Sequence, residues 1–418
     1  MLNVHSIEAI AAARINENLG RPLYDSYCFS QIPGAIAHCL TGQGSLGLPD
    51  SVLTDLPRRY EKVVLLFIDG LGWRFFDQYV DAFPFLRRFL QQGVVSKLTS
   101  QFPSTTAVHA TTIHTGLSVG QSGIVEWHYY EPKLGRVIAP LPFSYAGDHE
   151  RETLMQAGID PATIFPGRTL YHQLEAVAAY CFQHQTYAHS SFSTTVCDGA
   201  TIVPYRTLPE AIATLLQLLA QPGKGYYLLY IDSVDGVSHR YGPRSAQLEA
   251  EIQGVCLLLE TLLYQGMAQF PDTLLLVTAD HGHLEVSPEN TIYLTERCPK
   301  LAQWIERDCQ GELRVPCGGP RDFFLHVRTE TLDEAETYLT EKLGDFATVY
   351  RSQWLVEQGY FGPVADQLRD RLSPLILLPH KHVMVDWQPP KDSKKPYFGH
   401  HGGLTAEELE IPLLATVT

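Results

Sequence analysis

Basic residues are scarce: 31 lysines and arginines stand against 46 aspartates and glutamates, a formal charge of −15. That balance excludes a broad electropositive face for nucleic acid. The one basic cluster, "KDSKK" at 391–395, reads as a solvated turn. Long apolar runs are also missing: none reaches the roughly 18 uninterrupted residues that a membrane span needs, so no membrane partner is expected. The stretch "MLNVHSIEAIAAARINENLG" carries no basic residue ahead of its apolar segment, which Glu8 interrupts. It reads as a helix and not as a secretory signal. The eight cysteines include no CxxC pair. This excludes a zinc ribbon or a small disulfide framework and suits reduced thiols, so a cytoplasmic location is expected. No internal repeat or low-complexity tract occurs.

What is present is core-forming material. A chain of 418 residues with 45% hydrophobic and 18% charged residues can bury a large α/β core. The runs "KVVLLFI" (62–68), "GYYLLYI" (225–231), "DTLLLVTA" (272–279) and "FFLHV" (323–327) read as buried strands. The helical patterns "LPEAIATLLQLLAQ" and "AQLEAEIQGVCLLLETLLYQGM" precede the second and third of these. Such alternation predicts a parallel sheet covered on both faces. Residues 284–398 differ in character: "FFLHV", "TLDEAETYLTEKLG" and "FATVY" read as a small βαβ unit. The expected organisation is one catalytic α/β domain over 1–418 with 284–398 inserted as a small α+β cap.

Three of the predicted strands end in acid: Asp69 after "LLFI", Asp232 and Asp235 after "LLYI", and Asp280 with His281 after "LLLVTA". The carboxyl ends of parallel strands form a common crevice, so residues distant in sequence converge there. Asp235 and His239 are four apart, Asp280 and His281 adjacent, and "GHHGG" adds His400 and His401 in a glycine-rich loop before the strand candidate "IPLLATV". Carboxylate with imidazole suits zinc or manganese.

The stretch "QFPSTTAVHATTIHTG" (101–116) holds six hydroxyl side chains. Ser104 or Thr105 is a candidate helix cap, with Gly116 marking the helix end. β-Branched threonines are indifferent helix formers, so five of them in one short helix indicate that packing or chemistry has overruled propensity. A threonine nucleophile needs an activator, which a metal site supplies.

In order along the chain, "FIDG", "TAVHATTIHTG", "DGVSHRYGP", "ADHG" and "HHGG" resemble the motifs of the alkaline phosphatase superfamily, and within it the type I phosphodiesterase and nucleotide pyrophosphatase branch. The resemblance spans 63–403. It implies an alkaline-phosphatase-like three-layer fold: a central, mostly parallel sheet with helices on both faces. It further implies two divalent ions, zinc or manganese, one held by Asp69, Asp280, His281 and the nucleophile, the other by Asp235, His239 and a late histidine, assigned to His401. The nucleophile stands nine residues before Thr-Gly; counting back from Thr115 gives Thr106, with Thr105 as the alternative. Three aspartates against two divalent ions leave about one net positive charge for an incoming phosphate. The expected partner is a small-molecule phosphate ester, cleaved as a phosphodiester or pyrophosphate.

The chain departs from that branch where His-Gly-Ile-x-x-Asn is usual: "SGIVEWHYYEP" puts Ser122 and Trp127 there, so the asparagine donor to a phosphate oxygen is missing. Trp127, Tyr129 and Tyr130 are candidates to stack on a base or aryl leaving group. His283 and Asp232 are candidate supports of the metal ligands, and Arg74 and Arg240 are the cations nearest the motifs in sequence. A phosphomonoesterase, a phosphonate hydrolase, a phosphomutase and a non-catalytic binding module are the competing readings.

Overall fold

A computed structural model describes residues 1–390 and 396–418; the "KDSKK" run lies outside the described residues. The main sheet has seven strands, numbered here in chain order: β1 Lys62–Ile68, β2 Val94–Thr99, β3 Ala178–His184, β4 Thr201–Tyr205, β5 Gly225–Ile231, β6 Thr273–Thr278 and β7 Glu410–Val417. Their spatial order is β2-β7-β6-β1-β5-β3-β4. β6, β1, β5, β3 and β4 run parallel. β7 is antiparallel to both its neighbours, β6 and β2.

β1 is central and apolar on both sides because both faces are covered; Val63 to Ile68 are at most 1% exposed. Burial of each such side chain contributes about 1.5–3 kcal/mol, which explains why the run is continuous and not alternating. The predicted helices fall at Leu208–Leu219, with a Thr207/Glu210 capping box, and at Ala246–Leu258, which continues through a π-helical stretch, Leu259–Tyr264. The N-terminal segment forms the helix Val4–Ala13.

The predicted βαβ reading of the smaller unit needs correction. Asp322–Leu325 and Ala347–Arg351 are strands and Leu332–Leu343 is the helix between them, but the strands are not neighbours. The strand Leu375–Pro379 lies between them, antiparallel to each. Alternation along this sheet serves two cores. Phe323, Leu325 and Leu377 pack with Leu339 and Trp304 in a separate cluster, whereas Phe324, Ile376 and Leu378 join the main core. A two-stranded antiparallel ribbon pairs Leu284 with His400 and Glu285 with Gly399, closing the ends of the 284–398 segment on each other.

Candidate active site

β6, β1 and β5 are adjacent and parallel, so Asp280 and His281, Asp69, and the helix Ser233–Tyr241 that carries Asp235 and His239 all emerge at one edge. The tight exit from β1 depends on Gly70, whose φ of +74° leaves its amide 3.0 Å from Asp280 Oδ1. A Cβ there would meet His283 Nε2 at 2.8 Å, so glycine is required.

The structure brings two donor sets together. In one, His281 Nε2 lies 3.4 Å from Asp69 Oδ1 and 3.3 Å from Asp280 Oδ2. His281 Nδ1 faces the Gly282 carbonyl at 3.1 Å, so Nδ1 carries the hydrogen and the Nε2 lone pair points at the carboxylates. Asp69 Oδ1 and Asp280 Oδ2 are buried without a hydrogen-bond partner among the described residues. In the other set, His239 Nε2 is 3.3 Å from Asp235 Oδ1, and His401 Nε2 is 3.2 Å from His239 Nε2. Both Nδ1 atoms donate to backbone carbonyls, His239 to Gly399 at 2.7 Å and His401 to Ser104 at 2.9 Å. Two imidazole lone pairs therefore face each other beside a carboxylate. Converging carboxylate oxygens and imidazole lone pairs suit a cation, and an all-nitrogen-and-oxygen set suits zinc or manganese. His400 stands apart, with Nε2 3.2 Å from the Tyr397 carbonyl.

Electrostatics point the same way. Burial, with the Asp280 carboxylate adding, holds Asp69 well above the usual carboxylate range. Burial pushes Asp280 up to about 7. Burial alone would also raise Asp235, but the His239, His283 and His401 imidazoles outweigh it and hold it well below that range. Burial keeps His281 and His401 neutral, each well below the usual imidazole value.

Thr106 opens the helix Thr106–Thr115, which Gly116 ends at φ 74°. Its hydroxyl sits 3.4 Å from Asp69 Oδ2 and 3.4 Å from His281 Nε2. Thr105 occupies the cap position but makes no capping hydrogen bond; its hydroxyl donates to Glu126 Oε2 at 3.2 Å. The remaining hydroxyls are structural. Thr111 and Thr115 donate to carbonyls four residues back, and Thr112 accepts from the Gln101 amide. Ser104 clamps the His401 loop by donating to the Gly403 carbonyl at 2.8 Å and accepting from the Gly402 amide at 3.1 Å. Glu408 holds the same loop, accepting from the Gly403 amide at 3.0 Å and the Thr405 hydroxyl at 2.6 Å. It is fixed in turn by a buried bidentate bond from Arg321.

Beside Thr106 opens a cavity of about 310 Å³, lined among others by Asp69, Trp127, Tyr187, Phe192 and Tyr230. Arg151 reaches this cavity, whereas Arg74 and Arg240 are not among its lining residues. Of the three aromatics flagged in sequence only Trp127 lines it. Tyr129 is fully buried with the Arg371 guanidinium over its ring, and Tyr130 packs under Arg314 at 3.7 Å. Tyr230 donates to Asp69 Oδ2, Tyr187 to Asp232 Oδ2, and His283 Nε2 to Asp235 Oδ1 at 3.0 Å. Tyr187, Tyr230, Arg151 and Glu126 escaped the sequence reading. For Tyr230 the period of β5 was the available signal; for Glu126, buried and pushed up to about 8, adjacency to Trp127 was the only one.

A mostly parallel sheet flanked by helices, with acid and histidine at its strand ends, is the alkaline-phosphatase-like α/β fold. The chain belongs to the type I phosphodiesterase/nucleotide pyrophosphatase family, whose model matches residues 63–404. Mouse ectonucleotide pyrophosphatase/phosphodiesterase family member 3 is 26% identical over 278 residues, 65% of this chain and 30% of the relative. A venom phosphodiesterase of Crotalus durissus collilineatus is 23% identical over 248 residues, 58% of this chain and 29% of the relative. The chain thus spans about a third or less of these relatives' length. The fold is that of murine ectonucleotide pyrophosphatase/phosphodiesterase 5, with TM-score 0.64 and 19% identity over 85% of this chain and 87% of that one. An inactive threonine-to-alanine variant of that murine protein has been solved in complex with AMP.

Proposed function

We propose that the chain hydrolyses phosphodiester or pyrophosphate bonds of a small organic phosphate, with Thr106 as nucleophile and two divalent ions, zinc or alternatively manganese. Asp69, Asp280, His281 and Thr106 would hold one ion, and Asp235, His239 and His401 the other. The observation that carries this reading is the Thr106 hydroxyl at 3.4 Å from both Asp69 Oδ2 and His281 Nε2, at the first residue of a helix. When bound, the ions neutralise phosphoryl charge and lower the hydroxyl's pKa.

The chain's own residues do the rest. Asp69 Oδ2 is the acceptor that orients the Thr106 hydroxyl hydrogen, which leaves the His281 Nε2 lone pair for the ion. In-line attack forms the Oγ1–phosphorus bond as the hydroxyl proton passes to solvent, and breaks the bond from phosphorus to the leaving oxygen, which departs as an anion or takes a proton from solvent, giving phosphothreonine. Water then cleaves that ester and restores the hydroxyl. First-turn amides of the helix face the phosphoryl oxygens. The cavity beside Thr106 takes the organic substituent, with Trp127, Phe192 and Tyr187 offering aromatic walls.

The 284–398 segment acts as a cap, a reading supported by the ribbon that joins its ends. A reducing, cytoplasmic setting is supported by eight free cysteines. Zinc- and manganese-loaded protein assayed against diesters, pyrophosphates, monoesters and phosphonates tests the reading. Turnover of none, with metal bound at the strand ends, would leave the fold as a binding module.

A further inference from the structure

A second cluster of ligating side chains lies beneath the same cavity and takes no part in the chemistry above. We propose that His114, Cys181 and Cys197 form a separate thiolate metal site that takes zinc and ties the Thr106 helix to the wall of the cavity.

The three residues come from three elements. His114 is in the last turn of the Thr106 helix, Cys181 is on β3, and Cys197 directly follows the helix Ser191–Val196. All are buried, at 3%, 0% and 1% exposure. One donor atom from each lies within 4.8 Å of the others. Cys197 Sγ is 3.9 Å from His114 Nε2. Around tetrahedral zinc, bonds of about 2.3 Å to sulfur and 2.0–2.1 Å to nitrogen place those atoms roughly 3.6 Å apart. For this pair the shift in distance is tenths of an ångström; Sγ also lies 3.7 Å from Nδ1, so the ring must turn to aim Nε2 at the ion.

The surroundings already orient the donors. His114 Nδ1 is 2.6 Å from the Tyr171 hydroxyl, which leaves Nε2 for an ion. The Cys181 thiol donates to the same hydroxyl at 2.9 Å, so one tyrosine positions two of the three donors. Gln183 Nε2 donates to Cys197 Sγ at 3.6 Å, a contact that thiol and thiolate both accept. His114 and Gln183 line the cavity beside Thr106, so an ion here would fix the shape of that wall without contributing to bond cleavage. Its donors also differ in kind. Two sulfurs and an imidazole select zinc over manganese, whereas the strand-end donors, oxygen and nitrogen only, accept either.

The test uses the full chain. X-ray absorption at the zinc edge of zinc-loaded wild type should show sulfur at about 2.3 Å, a signal that the strand-end donors cannot supply. Cobalt-loaded protein should absorb in the near ultraviolet through thiolate-to-metal charge transfer, and Cys181→Ser with Cys197→Ser should abolish the band. After manganese exchange one zinc per chain should remain. Absence of sulfur at the zinc edge, with all eight cysteines titrating as free thiols after unfolding, would leave a hydrogen-bonded thiol pair and overturn the proposal. Two missing thiols would overturn it in favour of a Cys181–Cys197 disulfide. The wild-type absorption spectrum decides the matter if the serine variant does not fold. Either failure leaves the hydrolase reading intact, since no sulfur enters it.

Discussion

The imidazoles of His281 and His401 lie face to face, 3.6 Å between ring centroids and 8° from parallel. One ring belongs to each donor set, so the two sets share a wall one ring pair thick. Neither ring gains a proton readily there: burial dominates, and for His281 the nearness of His401 adds to it. The stack depends on both imidazoles staying neutral, the form that ligates metal.

Metal uptake should therefore release protons from carboxyl groups and not from these imidazoles. Burial raises Asp280 to about 7 and holds Asp69 well above the usual carboxylate range, so zinc must displace more carboxyl protons below that pH than above it. Apparent zinc affinity should rise as pH increases through about 7, most steeply below it. Titration calorimetry in two buffers of unlike ionisation enthalpy should find more proton release near pH 6 than near pH 8. Equal release at both would contradict the assignment.

Thr106→Ala should lower turnover by roughly a thousandfold or more, since loss of a nucleophile removes the covalent path. Thr105→Ala removes only a hydrogen bond to Glu126 and should retain much of the rate. Steady-state kinetics of the two variants decide between them, and the reverse ranking moves the nucleophile to Thr105.

His401→Ala should lower bound metal by about one ion per chain, because water is a poor substitute for the lost bond. His400→Ala should keep it, since that ring faces the Tyr397 carbonyl. Elemental analysis after dialysis measures both. Full metal content in His401→Ala would exchange the roles of the two histidines.

Glu408 braces the His401 loop from a buried ion pair with Arg321. Removing one member of such a pair strands the other charge, so Glu408→Ala should cost about 3–5 kcal/mol, read from urea unfolding. Unchanged stability would show that the brace is unnecessary.

With zinc at mildly alkaline pH, bis(p-nitrophenyl) phosphate should show the higher kcat/KM than p-nitrophenyl phosphate. The cavity beside Thr106 accommodates a second aryl group, and the asparagine donor that would help bind a more highly charged phosphate is missing. Trp127→Ala should narrow that preference by raising the diester KM. A monoester preference with both zinc and manganese would sink the diesterase reading.

Much of this was legible in sequence because each motif marks a backbone event. "FIDG" is a strand exit that needs glycine at φ +74°, and the acidic strand ends share a crevice because β6, β1 and β5 are parallel neighbours. What sequence could not supply was pairing across distance. Leu375–Pro379 is a short apolar run next to Pro374, and only its partners at 322–325 and 347–351 reveal it as an inner strand of the smaller sheet. Glu126 and Tyr187 reach their partners across turns that no local periodicity encodes. The capping expectation for Thr105 failed because its side chain turns to donate to the buried Glu126 carboxylate, and its oxygen accepts from no amide of the helix.

β7 is the last of the seven main strands to be synthesised, yet it sits between β2 and β6. Until it is made, β2 has no neighbour in the sheet, and the His401 loop with the Glu408 that anchors it lies just ahead of a strand not yet paired. Vectorial synthesis thus imposes a delay: a nascent chain carries most of its acidic ligands early but closes the constellation only when the final strand is threaded into place. A nascent chain that has not yet extended through β7 would therefore carry the acidic strand ends without the sheet edge against which the His401 loop is set, an assembly order in which the centre closes after its carboxylates are already in place.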